Sequence, residues 1–489
     1  MAHRGRSFAR SRRWPRRRRR SLVRRRVRRT ANGRSGSREA AVGRLGRRVR
    51  TGPLADRGRR GSTMNDEIAL ATPMAFVTRA NGAVLEARGQ RFALGQPCRV
   101  ETAAGRWTDA EVVGFADGAL QLLTYACVAD VVPGARVLPG HSTQAPRIGP
   151  AWLGRVVDAF GQPLDGKGPL RGDASLNTYG APPAPLDRRA ITEPLAVGVR
   201  AIDGLLSLGK GQRVGLFAGS GVGKSVLLGM MTRHTDAQIV VVGLIGERGR
   251  EVGEFVTETL GHAGLAKAIV VAAPADVPPA QRMKATELCH AIATHLRDAG
   301  HDVLLLVDSL TRYAMACREV ALLLGEAPAA RGYPVSVFAR LPRLVECAGN
   351  GAGSGSLSAI YTVLAEGDDM HDPVVDTARA VLDGHIVLSR ELADAGHYPA
   401  IDIGASVSRC MTQAVGGRHA SAARAFKAQW HAYRQIRELI PLGAYVPGAH
   451  AETDRAVSRH PAMRDFLCQQ DGEHCAPHAL CERLEALCR

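Results

Sequence analysis

From residue 76 to 145 apolar and polar positions alternate in short runs, "GAVLEARG", "RFALGQPCRVE" and "AEVVGFADGALQLLTYA", punctuated by Gly, Asp and Pro. A period of two between turn residues predicts half-buried strands, so this region is expected to form a small antiparallel β-barrel or sandwich. The pattern then loosens into a turn-rich joint, "LGRVVDAFGQPLDGKGPLRGD", at 153–173. Between 190 and 400, wholly apolar runs are followed by helical stretches: "RVGLFAG" then "KSVLLGMMTRH", "QIVVVGLIG" then "REVGEFVTETLGHAG", "AIVVAAPA" then "AQRMKATELCHAIATHLRDAG", and finally "DVLLLVDSL". This grammar predicts an α/β core, a mostly parallel sheet with right-handed crossovers and helices on both faces. Past 410 the text turns helical and more polar, "ASAARAFKAQWHAYRQIRELI", with Pro441 and "GAYVPG" before further helix. The expected organisation is an N-terminal barrel over 64–150, an α/β domain over 151–409 and an α-helical C-terminal domain over 410–489.

Composition alters this picture at one end only. The chain of 489 residues carries a formal charge of +19, yet residues 1–63 hold 24 arginines, no lysine and two acidic residues, a balance of +22. The remainder is therefore at −3, and a basic nucleic-acid-binding body is not expected. The arm has too few apolar residues to fold and reads as a disordered leader. It fits a nucleic-acid tail, an Arg-rich and acid-poor transit peptide, a functional localisation arm, or upstream sequence translated ahead of a start at Met64. Composition becomes ordinary at "MNDEIALATPMAF", which favours the last. No apolar run is long enough to span a membrane. Ten cysteines without a short-loop framework fit free thiols in a reducing, cytoplasmic setting.

The chemistry concentrates beyond the carboxyl ends of the expected strands, where ligands bind in such sheets. In "LFAGSGVGKSVLLG" a buried strand ends near Phe217 and a helix begins near Lys224. Backbone N–H groups of Gly219, Ser220, Gly221, Val222, Gly223, Lys224 and Ser225 can then converge on phosphates at a helix N-terminus, with Lys224 as a point charge and Ser225 offering a hydroxyl to Mg²⁺. Ala218 stands at the first position of this loop, where glycine is more usual. Asp308, closing "VLLLVD", is a second candidate for the metal. Glu247 in "GERGRE" follows a strand directly and can polarise an attacking water, with Arg248 and Glu251 in support. An arginine that stabilises charge in phosphoryl transfer has two candidates, Arg312 and Arg409, and spacing does not choose between them. The tail crowds Cys468, His474, Cys475, His478, Cys481 and Cys488 together, but paired Cys-x2-Cys spacing is missing, so a metal site is not expected there.

From about residue 75 to 467 the chain resembles the type III secretion and flagellar export ATPases, relatives of the catalytic subunit of rotary ATP synthases. "LGRVVDAFGQPLDG", "GVRAIDGLLSLGKGQRVGLFAGSGVGKSVLLGMM", "GLIGERGREVGEF", "DSLTRYAMACREV", "GSLSAIYTVLAEGDDMHDP", "DGHIVLSRELADAGHYPAIDIGASVSR" and "IRELIPLGAYVPG" carry the likeness. The resemblance implies a RecA-like core and an alanine at the head of the phosphate loop, as at Ala218. It implies Lys224 and Ser225 on phosphate and Mg²⁺, Glu247 as catalytic carboxylate, Asp308 on the metal side and Arg312 near the phosphates. It further implies Arg409 entering a neighbouring subunit's site and Tyr398 packing on adenine. A homohexamer is implied, together with a central stalk protein, a stator-like regulator, chaperone–substrate complexes and an export gate at the inner membrane's cytoplasmic face. The tail "CQQDGEHCAPHALCERLEALCR" shows no recognisable family pattern. A rotary synthase catalytic subunit remains a rival, opposed by Ala218 and by the lack of an acidic lever motif. An RNA-translocating termination-factor-like hexamer is opposed by the body's charge and few aromatics. The motifs do not separate injectisome from flagellum; the reading leans to the injectisome.

Overall fold

The computed structural model describes residues 74–126, 128–140, 146–177, 182–365, 369, 372–475 and 477–488. The expected leader, residues 1–63, lies outside the described residues. Six strands, β1 (Ala75–Asn81), β2 (Val84–Gly89), β3 (Pro97–Glu101), β4 (Trp107–Ala116), β5 (Ala119–Thr124) and β6 (Arg136–Pro139), close into a barrel in the order β1-β2-β5-β4-β3-β6. Neighbouring strands are antiparallel. The alternation in the sequence is the alternation between interior and exterior of this barrel: Val77, Leu85, Val100, Val112, Leu122 and Val137 fill its core. The β4–β5 hairpin turns through Asp117 (φ 49°) and Gly118 (φ 73°), the left-handed pair that a two-residue hairpin matched to strand twist requires.

The central sheet contains β7 (Arg155–Val157), β8 (Arg213–Ala218), β9 (Ile239–Ile245), β10 (Ala268–Ala273), β11 (Asp302–Asp308), β12 (Ser356–Leu364), β13 (Gly384–Val387) and β14 (Val407–Ser408). Their spatial order is β14-β13-β8-β12-β11-β9-β10-β7. All neighbours are parallel except β14, which pairs antiparallel with β13 at the edge. Every residue of β9 and of β10 is buried, as expected of strands covered by helices on both faces. Two details depart from the sequence pattern. The joint at 153–173 is not only turns, because Arg155–Val157 adds the outermost parallel strand beside β10. The helical stretch after Glu247 is interrupted by a π-helical turn, Phe255–Leu260.

The order matters for function because it sets β8, β12, β11 and β9 side by side. Their carboxyl ends, at Ala218, Leu364, Asp308 and Ile245, therefore meet at one edge although they are far apart in the chain. The C-terminal helices α6 (Gly417–Ile436), α7 (Ala451–Leu467) and α8 (Pro477–Cys488) dock on α1 (Arg200–Leu205), and between α1 and α6 the chain forms α2 (Lys224–His234), α3 (Gly249–Glu254), α4 (Pro279–Asp298) and α5 (Leu310–Leu323) among other helices. Phe426, Phe466, Leu480 and Leu484 are fully buried in the same cluster as Ile202 and Leu205 of α1. Each such side chain stabilises the docking by roughly 1.5–3 kcal/mol, so the helical region is an extension of the core. Among the described residues no helix is long and apolar enough to cross a membrane.

Candidate nucleotide site

The phosphate loop is built as its residues demand. β8 is buried from Val214 to Ala218, and α2 begins at Lys224. Ala218 still lies opposite Leu364 in the parallel ladder and is buried, so its methyl meets the sheet and leaves the loop untouched. Val222 is buried and anchors the loop from below. Gly221 (φ 78°) and Gly223 (φ 85°) take left-handed conformations that β-substituted residues resist. Among the described residues, none of the amides from Gly219 to Val226 has an acceptor within the chain. These unmet donors at a helix N-terminus make an anion cradle.

Lys224 projects from α2 into two acids. Its Nζ lies 2.6 Å from Asp308 Oδ1 and 3.0 Å from Glu247 Oε1. Asp308 Oδ1 also accepts from the buried Thr362 hydroxyl at 2.6 Å, while its Oδ2 has no hydrogen bond among the described residues. Capping of the following helix α5 falls to Ser309, whose side chain accepts from the Arg312 amide at 3.2 Å. Asp308 is thus left for the site. Burial opposes the charged form of Lys224, yet its pKa is raised because Asp308 and Glu247 outweigh that cost. Burial, then the nearby Asp308 charge, pushes the Glu247 carboxyl up despite Lys224. Glu251 takes the Glu247 hydrogen bond and, although partly desolvated, is held low by that bond and by Arg248.

Other predicted residues fall at differing distances from this cluster. Ser225 is exposed in the first turn of α2. Arg248 is largely exposed and pairs with Glu251 at 3.1 Å, so it reaches the cluster only through that glutamate. Arg312 packs its stem over the Gly246 turn, where an added Cβ would come within 2.9 Å of Arg312 Cβ. Its Nε is buried without a hydrogen-bond partner among the described residues. Arg409 lies elsewhere. It follows the edge strand β14 and donates its N–H to the Asp383 carbonyl at 3.1 Å. Asp383 in turn binds Arg213, the first residue of β8, so Arg409 sits at the amino end of the sheet. A strand of this length separates the two ends by roughly 16 Å, and Arg409 is exposed at the end opposite the phosphate loop.

Beside the loop opens a cavity of about 710 Å³, lined by Gly223, Val226, Met230, Tyr398, Gln469 and Arg483 among others. Tyr398 is half-exposed, and its ring stands 3.5 Å from where a Cβ on Gly223 would sit. Two contributors were not legible in the sequence. Arg390 reaches the Ser220 carbonyl at 3.2 Å from 170 positions away. The segment Cys468–Glu473 supplies the cavity wall facing Tyr398. No motif announces either, since each acts through a contact distant in sequence. Cys481 and Cys488 give their thiols to Glu485 and to the Ala422 carbonyl within the helical region.

A buried parallel strand, a glycine-rich turn, an invested lysine and two strand-end carboxylates define a phosphate-loop nucleoside triphosphatase. Family models agree on the kind: the ATP synthase alpha/beta family nucleotide-binding domain matches residues 198–408, and the T3SS EscN ATPase C-terminal domain matches 415–486. The chain belongs to the family of flagellum-specific ATP synthases and type III secretion system ATPases, and it is an ATPase. It is 55% identical over 395 residues to the flagellum-specific ATP synthase of Pseudomonas aeruginosa, covering 80% of this chain and 88% of the relative. The type 3 secretion system ATPase of Xanthomonas euvesicatoria is 45% identical over 394 residues, covering 80% and 89%. The assembled ATPase EscN of the enteropathogenic E. coli type III secretion system superposes with a TM-score of 0.81 at 39% identity, covering 85% of this chain and all of that one. EscN in complex with its central stalk EscO gives 0.78 at the same identity and coverage. The C-terminal model runs to residue 486, so the tail lacking a recognisable pattern in the sequence does carry the family's.

Proposed function

We propose that the chain is a Mg²⁺-dependent ATPase that works as a homohexamer and energises export through a flagellar type III apparatus. The observation that carries the reading is the junction of Lys224, Asp308 and Glu247 above an open row of amides. The amides and Lys224 bind the phosphates, Glu247 takes the proton of the attacking water, and Arg312, with its unmet Nε, reaches the phosphates from the Gly246 turn. Ser225 hydroxyl and Asp308 Oδ2 are hard oxygen donors suited to Mg²⁺ and would hold it. The metal, when bound with nucleotide, neutralises charge on the phosphates. Tyr398 packs on the adenine.

Arg409 cannot serve its own site from the amino end of the sheet, which supports its use by a neighbour. An arginine given head-to-tail around a closed ring is the arrangement a homohexamer provides. Solved relatives that are described as assembled, and as bound to a central stalk, support the same assembly and a stalk partner here. A stator-like regulator, chaperone–substrate complexes and the export gate at the cytoplasmic face of the inner membrane complete the proposed setting. The flagellar assignment, against the lean of the motifs, rests on identities of 55% and 52% to flagellar relatives from Pseudomonas aeruginosa and Salmonella typhimurium, above 45% to the secretion ATPase of Xanthomonas.

The test uses two inactive variants. Lys224→Ala loses nucleotide binding, and Arg409→Ala loses on the order of 10³-fold or more in turnover, as removal of an arginine finger does. Mixed together, they should regain part of the activity, because an Arg409→Ala site can receive Arg409 from a Lys224→Ala neighbour. Mixed oligomers no more active than either parent would overturn the assignment in trans.

A further inference from the structure

The wall of the nucleotide cavity that faces Tyr398 is fastened by two side chains, Gln469 and Arg200. Gln469 is 5% exposed and sits just past the end of α7. Its backbone N–H donates to the Tyr398 carbonyl at 2.9 Å. Its Oε1 accepts from the Arg200 amide at 2.8 Å, and its Nε2 donates to the carbonyls of Gly198 and Glu473, each at 2.8 Å. Both amide protons and the carbonyl are therefore committed. The Arg200 side chain adds a second fastening: it donates to the Phe466 carbonyl at 2.9 Å, to the Cys468 carbonyl, and to the Glu473 carboxylate at 3.0 Å.

What Gln469 grips is itself fixed. The buried Asp203 carboxylate accepts from the amides of Val197 and Gly198 at 2.9 and 2.8 Å, locking the turn before α1. Gly198 (φ 75°) lies against the end of α2, where an added Cβ would overlap His234 Cβ at 2.2 Å. The phosphate-loop helix is thus touched at its far end by the Gly198 turn and at its near end by the Tyr398 ring over Gly223. Gln469 ties both to the segment between α7 and α8. The apolar docking of the helical region is carried by other residues, Phe466, Leu467, Leu480 and Leu484. Removal of the Gln469 side chain therefore cuts the wall's ties to the Gly198 turn and to the Arg200 amide, loosening it on the Arg200 side chain and the Gln469–Tyr398 backbone bond that remain, without undocking the region.

We propose that Gln469 is a positioning residue that holds the Cys468–Glu473 segment and Tyr398 at a fixed separation, and so sets affinity for the base end of the nucleotide, separately from the phosphates. The proposal rests on the ATPase reading above. A shift of the C-terminal helices is transmitted to the base cavity through this clasp and leaves the Lys224 cluster in place.

The full-length chain tests this with two probes, ADP, and inorganic tripolyphosphate, which carries phosphates and no base. Gln469→Ala leaves the Arg200 amide and the Gly198 carbonyl buried and unpaired. It should raise Kd for ADP and KM for ATP about tenfold, with kcat changing far less and the Kd for tripolyphosphate staying within about twofold. Leu480→Ala, which loosens the same helices without touching the clasp, should lower the melting temperature and keep the wild-type ratio of the two Kd values. Equal weakening of both probes by Gln469→Ala, unchanged ADP affinity, or a base-dependent loss in Leu480→Ala overturns the proposal alone. A wild-type chain that binds no ADP overturns the ATPase reading as well.

Discussion

The two ends of the central sheet carry charge clusters of similar composition and opposite character. At the amino end, Arg213 binds Asp383 through Nε at 2.9 Å and Nη2 at 3.1 Å and pairs also with Glu346, while Asp383 accepts the Arg213 amide at 3.0 Å. The pair is bidentate, and the Asp383 amide returns a bond to the Arg213 carbonyl. At the carboxyl end one lysine answers two acids, an aspartate oxygen is left over, and a row of amides has no acceptor among the described residues. The first cluster is ion-paired within itself, Arg213 Nη1 meeting the Glu346 carboxylate, and ties β8 to β13. The second is chemically unfinished, which is the condition for receiving a triphosphate. Charge clustering alone does not mark a site; unmet valence does.

Glu247 should separate the two ends of the sheet most widely. Glu247→Gln keeps the shape of the site and removes the proposed base, so hydrolysis should fall on the order of 10²–10⁴-fold while ADP still binds, measured by turnover and calorimetry. Loss of ADP binding in parallel would show that the carboxylate builds the cradle, making the two ends alike. The amino end should respond in the opposite currency. Asp383→Ala takes the bidentate partner from the partly buried Arg213 guanidinium, leaving it Glu346 alone, and should cost about 2 kcal/mol of stability, read from a denaturant midpoint, with little change in KM for ATP. A variant as stable as the parent would mean that the Arg213–Asp383 pair is not a fastening.

What the sequence disclosed follows the same division. The strand–glycine–helix pattern around Lys224 was legible because its parts adjoin, and the fully apolar runs announced a sheet buried on both faces. Glu247 and Asp308 were legible because each stands immediately after such a run. The pattern in the tail was not: Gln469 works on Arg200 across 269 positions, and neither has an unusual neighbour in sequence. Arg390 on Ser220 escaped for the same reason. The edge strand Arg155–Val157 hid in a turn-rich passage because three residues are too few to show a period. Arg409 shows the converse case. Its motif was visible, but only the register of β14 on β13 places it at the amino end.

The smallest expected effect bears on how the carboxyl end tunes its own base. As the proposed base, Glu247 must be unprotonated to take a proton from water, and burial together with Asp308 raises its pKa above its ordinary value. Turnover should therefore rise with pH along a limb that lies above that value. Glu251 accepts the Glu247 hydrogen bond, which stabilises the protonated form of Glu247 and contributes to the upward shift. Glu251→Ala removes that acceptor and leaves the Arg248 charge unpaired nearby, and both changes favour the Glu247 carboxylate. The acid limb of kcat/KM should move to lower pH, with the maximal rate little altered. A limb that stays in place, or moves upward, would mean that Glu251 does not share the Glu247 proton, and that the base is tuned by burial, Asp308 and Lys224 alone.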